Sequence, residues 1–305
     1  MSTPDTHSRL PSTLGELLHH CHETLCGADV YYGHGTDNPW DEAVQLVLHV
    51  AGLPVDCGEE VLDLAVTPAQ RDRALELLQQ RIEQRQPLPY LLGRAWFAGL
   101  EFACDSRAII PRSPLAELIL DDYSPWYTGP APRRILDLCC GGGCIGLAAA
   151  HYSQAQVDLA DIDADALALA AENRQRFGLE DRVEIFTSDL FDGLPPARYD
   201  IILSNPPYVD AADLAGMPDE YRHEPALALG SGDDGLDLTR RILACAADYL
   251  ADTGLLVVEV GNSWEALEAA YPQVPFTWLE FANGGHGVFA LSAAQLQEYA
   301  TSLRR

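Results

Sequence analysis

From Arg133 onward, short apolar runs alternate with amphipathic helical stretches, and this alternation limits the possible folds more than any other feature. RRILDLC, QVDLADI, RVEIFTS, YDIILS and GLLVVEV read as strands, while the stretches beginning at GGGCIGLAAAHY, DADALALAAENRQRFG and LDLTRRILACAADYL read as helices. Near-continuous apolar strands separated by helices predict a parallel sheet covered on both faces, a doubly wound α/β domain. The terminal PFTWLEFANGGHGVFAL instead predicts two strands joined by an Asn-Gly-Gly turn, an antiparallel edge on a mostly parallel sheet.

Upstream the period is helical. STLGELLHHCHETL, PWDEAVQLVLHVAGL and TPAQRDRALELLQQRIEQR carry apolar residues three and four apart. Ser12 or Thr13, Asn38 and Thr67 stand as caps, and Pro39 and Pro68 fall where a first helical turn tolerates proline. Pro87 and Pro89 end this region, and RAWFAGLEFACDSRAII predicts a β-hairpin around Gly99. The expected division is a small helical domain over 1–86, a hairpin linker over 87–112 that also packs on the second domain, and the α/β domain over 113–305.

No run of about 18 apolar residues predicts a membrane span. The opening MSTPDTHSRLPSTLGELLHH lacks a basic stretch followed by an apolar one, so no secretory signal is expected. Eight scattered cysteines, two adjacent at Cys139-Cys140, suggest reduced thiols and a cytoplasmic protein rather than a disulfide framework. There is no lysine. Nineteen arginines face 46 acidic residues, for a formal net charge of −27. So acidic a surface should repel phosphate backbones unless a basic face is concentrated locally, and it suits a high-salt or high-GC source organism, a very basic protein partner, or both.

ILDLCCGGGCIGLAAA is a strand, a glycine turn and a helix start, and Gly141-x-Gly143-x-x-Gly146 has the spacing of a dinucleotide fingerprint. Such a turn lets backbone approach a ligand at the end of the first strand, although a tight turn without a ligand has the same pattern. Asp161 follows Gly141 by about twenty positions, as expected for a carboxylate that holds two ribose hydroxyls; the alternative is a helix cap, for which Asp163 is better placed. Asp189, in TSDLFDGL, closes the third strand. It could accept from an adenine amino group while Leu190 packs on the ring, or be a plain turn residue. Together these residues point to an adenosine site, without separating a nicotinamide cofactor from S-adenosylmethionine.

The strand YDIILS delivers Asn205 to the same sheet edge, followed by Pro206, Pro207 and Tyr208. A planar amide or amino nitrogen has a delocalised lone pair and is a poor nucleophile. A useful site holds both its N–H groups on acceptors and aims the nitrogen at the electrophile. The Asn205 side-chain oxygen is one acceptor and the Pro206 carbonyl a second; two prolines stiffen the loop, and Tyr208 can stack on the flat group. A proline-terminated strand with a buried tyrosine is the purely structural alternative.

DLCCGGGCIG, ADID, SDLFDGL and SNPPYV, in this order, resemble the class I (Rossmann-like) methyltransferases that act on planar nitrogens, and most nearly the HemK-type protein glutamine N5-methyltransferases. Ile110-Pro111-Arg112-Ser113-Pro114-Leu115, YRHEPALAL, SGDDGLDL and FANGGHGVF resemble the branch that methylates a glutamine of large-subunit ribosomal protein L-3. The sister branch, which acts on the GGQ motif of release factors, typically carries a PRPETE-like segment instead. The resemblance implies S-adenosylmethionine as cofactor, with Cys139, Cys140, Gly141, Gly142 and Gly143 at its methionine and ribose, Asp161 at the ribose, Asp189 and Leu190 at the adenine, and Asn205 beside it. It implies that Asn205, Pro206, Pro207 and Tyr208 take the glutamine, with Asn205, Pro206 and Tyr208 in the catalytic roles, and that the partner is a basic ribosomal protein chosen by the helical domain. No metal is expected, because no second Cys/His cluster completes a ligand set with Cys139, Cys140 and Cys144. His223-Glu224-Pro225 could touch substrate or only shape its loop, and His286 reads as a turn residue. The rivals are a release-factor methyltransferase, an adenine-N6 methyltransferase, which would want a basic recognition surface, and a nicotinamide enzyme, which leaves Asn-Pro-Pro-Tyr unexplained. A pure binding module would give the clustered cofactor and amide sites no purpose. Direct sequence-specific nucleic-acid binding is not expected.

Overall fold

The computed structural model describes residues 10–304, so Met1 to Arg9, part of the stretch expected to lack a secretory signal, and Arg305 lie outside it. The chain divides into two compact units, one running to Gly93 and the other from Arg94 onward.

The first unit holds α1 (Leu14–Cys26), α2 (Pro39–Ala51), α3 (Pro68–Glu83) and the short α4 (Leu88–Leu92). Each long helix starts where its cap predicts: Thr13 accepts from Glu16 N, Asn38 accepts from Asp41 N, and Thr67 forms a reciprocal capping box with Gln70. Leu17, Leu46 and Leu77 meet in the core of this unit. Among them Arg81 and Glu42, 1% and 2% exposed, form a buried pair at 2.9 Å.

The second unit opens with the hairpin of β1 (Arg94–Phe97) and β2 (Leu100–Ala103), whose two-residue turn at Ala98 and Gly99 has positive φ at both positions. Phe97 and Phe102 are buried in the same core as the large sheet of this unit, so the hairpin belongs to it by packing. The sheet contains β3 (Arg134–Leu138), β4 (Gln156–Asp161), β5 (Val183–Thr187), β6 (Tyr199–Ser204), β7 (Leu250–Glu259), β8 (Thr277–Trp278) and β9 (Val288–Ser292). The order is β5-β4-β3-β6-β7-β9-β8. The pairs from β5 to β7 are parallel, and β9 runs antiparallel to both its neighbours.

The helices are α5 (Leu115–Leu120), α6 (Cys144–Tyr152), α7 (Ala164–Arg176), α8 (Ala211–Gly216), α9 (Asp237–Cys245), α10 (Trp264–Ala270), α11 (Ala293–Glu298) and α12 (Ala300–Leu303). Strand residues alternate between two apolar layers. Ile135, Ile201 and Val257 face the layer holding Leu118, Leu147 and Leu167, while Leu136, Ile202 and Leu256 face the layer holding Leu243, Leu267 and Leu296. This is the expected doubly wound sheet with an antiparallel edge. From β3 the chain winds outward through β4 to β5, then returns to β6 on the other side of β3. The crevice of such a switch point opens beyond the carboxyl ends of β3 and β6.

One expectation needs correction. Asn283-Gly284-Gly285 is not a tight hairpin turn: Trp278 pairs with Phe289, and the residues between form a longer loop. The Glu117 carboxylate of α5 pins that loop, accepting from Ala282 N at 2.6 Å, Asn283 N at 3.1 Å and Asn283 Nδ2 at 2.8 Å. Among the described residues no helix is long and apolar enough to cross a membrane.

Gly146 lets α6 lie close on the sheet. A Cβ there would come 2.2 Å from a Leu159 side-chain carbon and 2.8 Å from Asp137 Cβ. Gly146→Ala is therefore expected to destabilise the protein by about 1–3 kcal/mol through overpacking, although alanine is the better helix former by about 1 kcal/mol. Urea unfolding checks this; an unchanged or raised midpoint would mean that Leu159 yields freely.

Candidate active site

Beyond Leu138 the chain reaches α6 through five residues, three of them at positive φ: Cys139 at 62°, Gly141 at 52° and Gly143 at 81°. Glycine adopts this region freely, whereas at Cys139 it is strained. Cys140 N donates to Ala160 O at 3.0 Å, which keeps the turn against β4. Gly143 is the residue before α6 and has no side chain to cap it. Asp137 of β3 supplies the missing acceptor, taking the Gly146 N–H at 2.7 Å. Asp137 is fully buried, and burial pushes its carboxyl up to about 7. On the other side the Asn173 amide of α7 donates to Gly142 O at 3.1 Å while its oxygen accepts from Ala103 N at 2.8 Å.

Asp161 ends β4. Its Oδ2 accepts from Gly141 N at 2.8 Å and its Oδ1 from Asp163 N at 2.9 Å, so each oxygen keeps capacity for another donor. Burial raises its pKa, and the two N–H groups only partly offset that. Asp163 is the cap of α7, accepting from Asp165 N at 2.9 Å.

A cavity of about 220 Å³ opens beside this carboxylate, lined by Cys139, Gly141, Asp161, Asp189, Leu190, Asn205 and Pro207 among others. A smaller cavity of about 40 Å³ shares Cys139, Gly141 and Asn205 with it and adds Cys140 and Gly142. Gly143, Pro206 and Tyr208 line neither. Gly143 packs instead toward Ala170, Leu147 and Leu159, where a Cβ would meet each at 3.1 to 3.2 Å.

Asn205 follows Ser204, which pairs with Leu138 in the parallel register, so it emerges next to Cys139. Its half-buried side chain makes no hydrogen bond among the described residues. The Tyr208 hydroxyl donates to Glu259 Oε1 at 3.0 Å, and Ser113 Oγ donates to Glu259 Oε2 at 2.6 Å. Burial raises the pKa of both Tyr208 and Glu259. Nearby, Arg112 grips Glu224 with two bonds of 2.5 and 2.7 Å, and Glu224 also accepts from Ile110 N at 2.9 Å. Glu224 thus shapes its loop. His223, its neighbour, is half-buried, and His286 is exposed with Nε2 2.8 Å from Asn262 Oδ1.

Several residues on these walls carry no local sequence signal. Ile162, 53% exposed, offers an apolar face at the mouth of the larger cavity. Arg241 of α9 reaches Asp189 Oδ1 at 2.8 Å, so the acid expected at the adenine already holds a cation on one oxygen. Asn173 of α7 is buried and lines the smaller cavity, and only its place as a polar residue among the apolar positions of that helix could have marked it. Among the described residues no group of three or more His, Cys, Asp or Glu is arranged to hold a metal.

The sheet order, with its reversed strand beside the edge, is that of a Rossmann-like methyltransferase, and residues 125–217 match the methyltransferase small domain family. The catalytic domain of hMettl16 in complex with MAT2A 3'UTR hairpin 6 shares the fold, with a TM-score of 0.51 at 20% identity over 73% of this chain and 80% of that one. A ribosomal protein uL3 glutamine methyltransferase of Bordetella pertussis is 46% identical over 286 residues, 93% of this chain and 96% of that protein. Another, from Francisella tularensis, is 47% identical over 279 residues, 91% of this chain and 89% of that one. With so much identity over nearly the whole length, the chain belongs to the family of ribosomal protein uL3 glutamine methyltransferases.

The Arg112–Glu224 pair gives a stability test. Glu224→Ala leaves a largely buried guanidinium without its counter-ion and is expected to cost about 3 kcal/mol in urea unfolding. An unchanged midpoint would show that water, which reaches 24% of the Arg112 side chain, already replaces the carboxylate.

Proposed function

We propose that the chain transfers a methyl group from S-adenosylmethionine to the side-chain amide nitrogen (N5) of a glutamine in ribosomal protein uL3. The observation that carries this reading is the Asn205 carboxamide, unpartnered and set where the two cavities meet. Its oxygen and N–H groups are all free for a ligand.

The larger cavity has the donor and acceptor set for an adenosyl group. Asp161 has unused acceptor capacity for two ribose hydroxyls, Asp189 and Leu190 suit the adenine end, and Ile162 adds an apolar face. Cys139, Cys140, Gly141 and Gly142 form the turn along the ribose and methionine side, with Gly143 shaping it from behind. When bound there, S-adenosylmethionine supplies a methyl carbon carried on a positive sulfur. The glutamine amide donates one N–H to Asn205 Oδ1 and the other to the Pro206 carbonyl, which orients its nitrogen. Pro206 and Pro207 stiffen the loop, and Tyr208 offers a flat face. The methylated nitrogen returns to a neutral amide by releasing a proton to solvent, so no strong base is required at the site.

The rival reading, an exocyclic amine of a nucleic acid, calls for free cations around the mouth. The nearest arginines are engaged: Arg107 by Asp105 and Glu172, Arg112 by Glu224, and Arg241 by Asp189. That favours a basic protein as substrate over a phosphate backbone. On this reading the helical unit selects the protein, and the reaction occurs in the cytoplasm.

Asn205→Ala is expected to abolish labelled methyl transfer to uL3 while leaving the Kd for S-adenosylhomocysteine within a few-fold. Unchanged turnover would remove Asn205 from the reaction. Asp161 gives a pH test. Its raised pKa means that it takes up a proton at higher pH than an ordinary aspartate, so the charged acceptor is lost early on acidification. Cofactor affinity should therefore begin to fall on acidification at a higher pH than an ordinary aspartate would give, and Asp161→Asn should bind weakly with that dependence removed. Calorimetric titration with S-adenosylhomocysteine across pH reads both; an unaltered profile in the variant would take Asp161 out of the ribose site.

A further inference from the structure

We infer that Ser113 and Glu259 are positioning residues: together they clasp Tyr208, hold the acceptor loop in place, and so set recognition of the protein substrate rather than of the cofactor. This rests on the function proposed above.

Glu259 ends β7 and is only 6% exposed, with its two oxygens taken by two different hydroxyls, Ser113 Oγ at 2.6 Å and Tyr208 OH at 3.0 Å. Among the described residues no guanidinium is paired with it; Arg112 lies near enough to favour its charge but spends both prongs of its fork on Glu224. The carboxylate thus joins two stretches of chain that matter to the site. One is the strap Ile110–Ser113, whose four residues line the smaller cavity together with Asn205. The other is the Asn-Pro-Pro-Tyr loop. Tyr208 is held at two further points: its carbonyl accepts from Ser263 Oγ at 2.8 Å, and its ring lies on Gly261, where a Cβ would come within 2.5 Å. Between Tyr208 and Asn205 stand only two prolines, whose rings lock φ, so a shift of the tyrosine is passed to the asparagine rather than absorbed. Neither Ser113, Glu259 nor Tyr208 lines the larger cavity. Ser113 does line the smaller one beside Cys140 and Gly142, but its hydroxyl proton is spent on Glu259, so loss of the clasp should be felt by the substrate more than by the cofactor.

The test uses the full chain with uL3 as methyl acceptor. Glu259→Gln keeps the shape but can no longer accept from both hydroxyls, and it should raise the KM for uL3 about tenfold, the scale of one hydrogen bond to a charged group. The Kd for S-adenosylhomocysteine should stay within about twofold, since the adenosyl contacts are untouched. Ser113→Ala should shift the KM in the same direction, and Ser113→Thr, which restores a hydroxyl, should recover it. Hydrogen exchange over residues 203–210 should quicken in Glu259→Gln and Ser113→Ala but not in Ser113→Thr. An unchanged KM, or a cofactor Kd that rises in step with it, overturns the inference. If Glu259→Gln fails to fold, the two Ser113 variants carry the same test. If the wild-type protein binds cofactor yet transfers nothing to uL3, the proposed function fails, and the clasp is judged by exchange alone: quickening in Ser113→Ala supports it and unchanged protection overturns it.

Discussion

Everything at the sheet edge depends on holding open a backbone turn that the chain would not otherwise adopt. Cys139, Gly141 and Gly143 all sit at positive φ, and α6 begins just after them without a side-chain cap of its own. Two aspartates from neighbouring strands make this possible. Asp137 takes the Gly146 N–H at the start of α6, and Asp161 takes Gly141 N. Both act from β-strand positions whose spacing is set by the parallel pairing of β3 and β4, so the turn is referenced to the sheet. The cost is visible in Asp137, whose buried carboxyl is pushed up to about 7 and whose Oδ1 has no hydrogen-bond partner among the described residues.

The same logic of distant side chains fixing loop backbone extends outward. Asn173 spans from the Gly142 carbonyl to both backbone groups of Ala103, which ties the hairpin to the glycine turn. Glu224 ties Ile110 and Arg112 to the stretch beyond the Asn-Pro-Pro-Tyr loop, and Glu117 fixes the loop before β9. Loops in this unit are thus ordered by single carboxylates or amides that accept or donate two or three hydrogen bonds each. Such groups are expensive to leave unsatisfied, and that makes their positions exacting.

This explains which parts of the molecule could be read in advance. Helix caps at Thr13, Asn38 and Thr67 act on residues three positions away, so the pattern and its consequence sit side by side. The apolar strands, and hence the arrival of Asn205 near the glycine turn, follow from periodicity and the rules of parallel sheets. What escapes is whatever depends on partners far along the chain. Glu224 meets Arg112 across 112 positions, and Glu117 meets Asn283 across 166, turning an apparent Asn-Gly-Gly hairpin into a pinned loop. Arg241 at Asp189 belongs to the same class, since nothing near RRIL announces that α9 will overlook the third strand's end.

The chemistry around Asn205 is shaped as much by what stays neutral as by what is charged. Cys139, Cys140 and Cys144 crowd the smaller cavity, and burial raises the pKa of all three thiols. A thiolate would be a far better nucleophile than a carboxamide and would compete for any electrophilic carbon held there. Kept protonated by the same desolvation that closes the site, the thiols act as apolar packing. On the proposed reading, the weak nucleophile then gains its advantage from position alone, with the Asn205 oxygen and the Pro206 carbonyl as the acceptors that orient it.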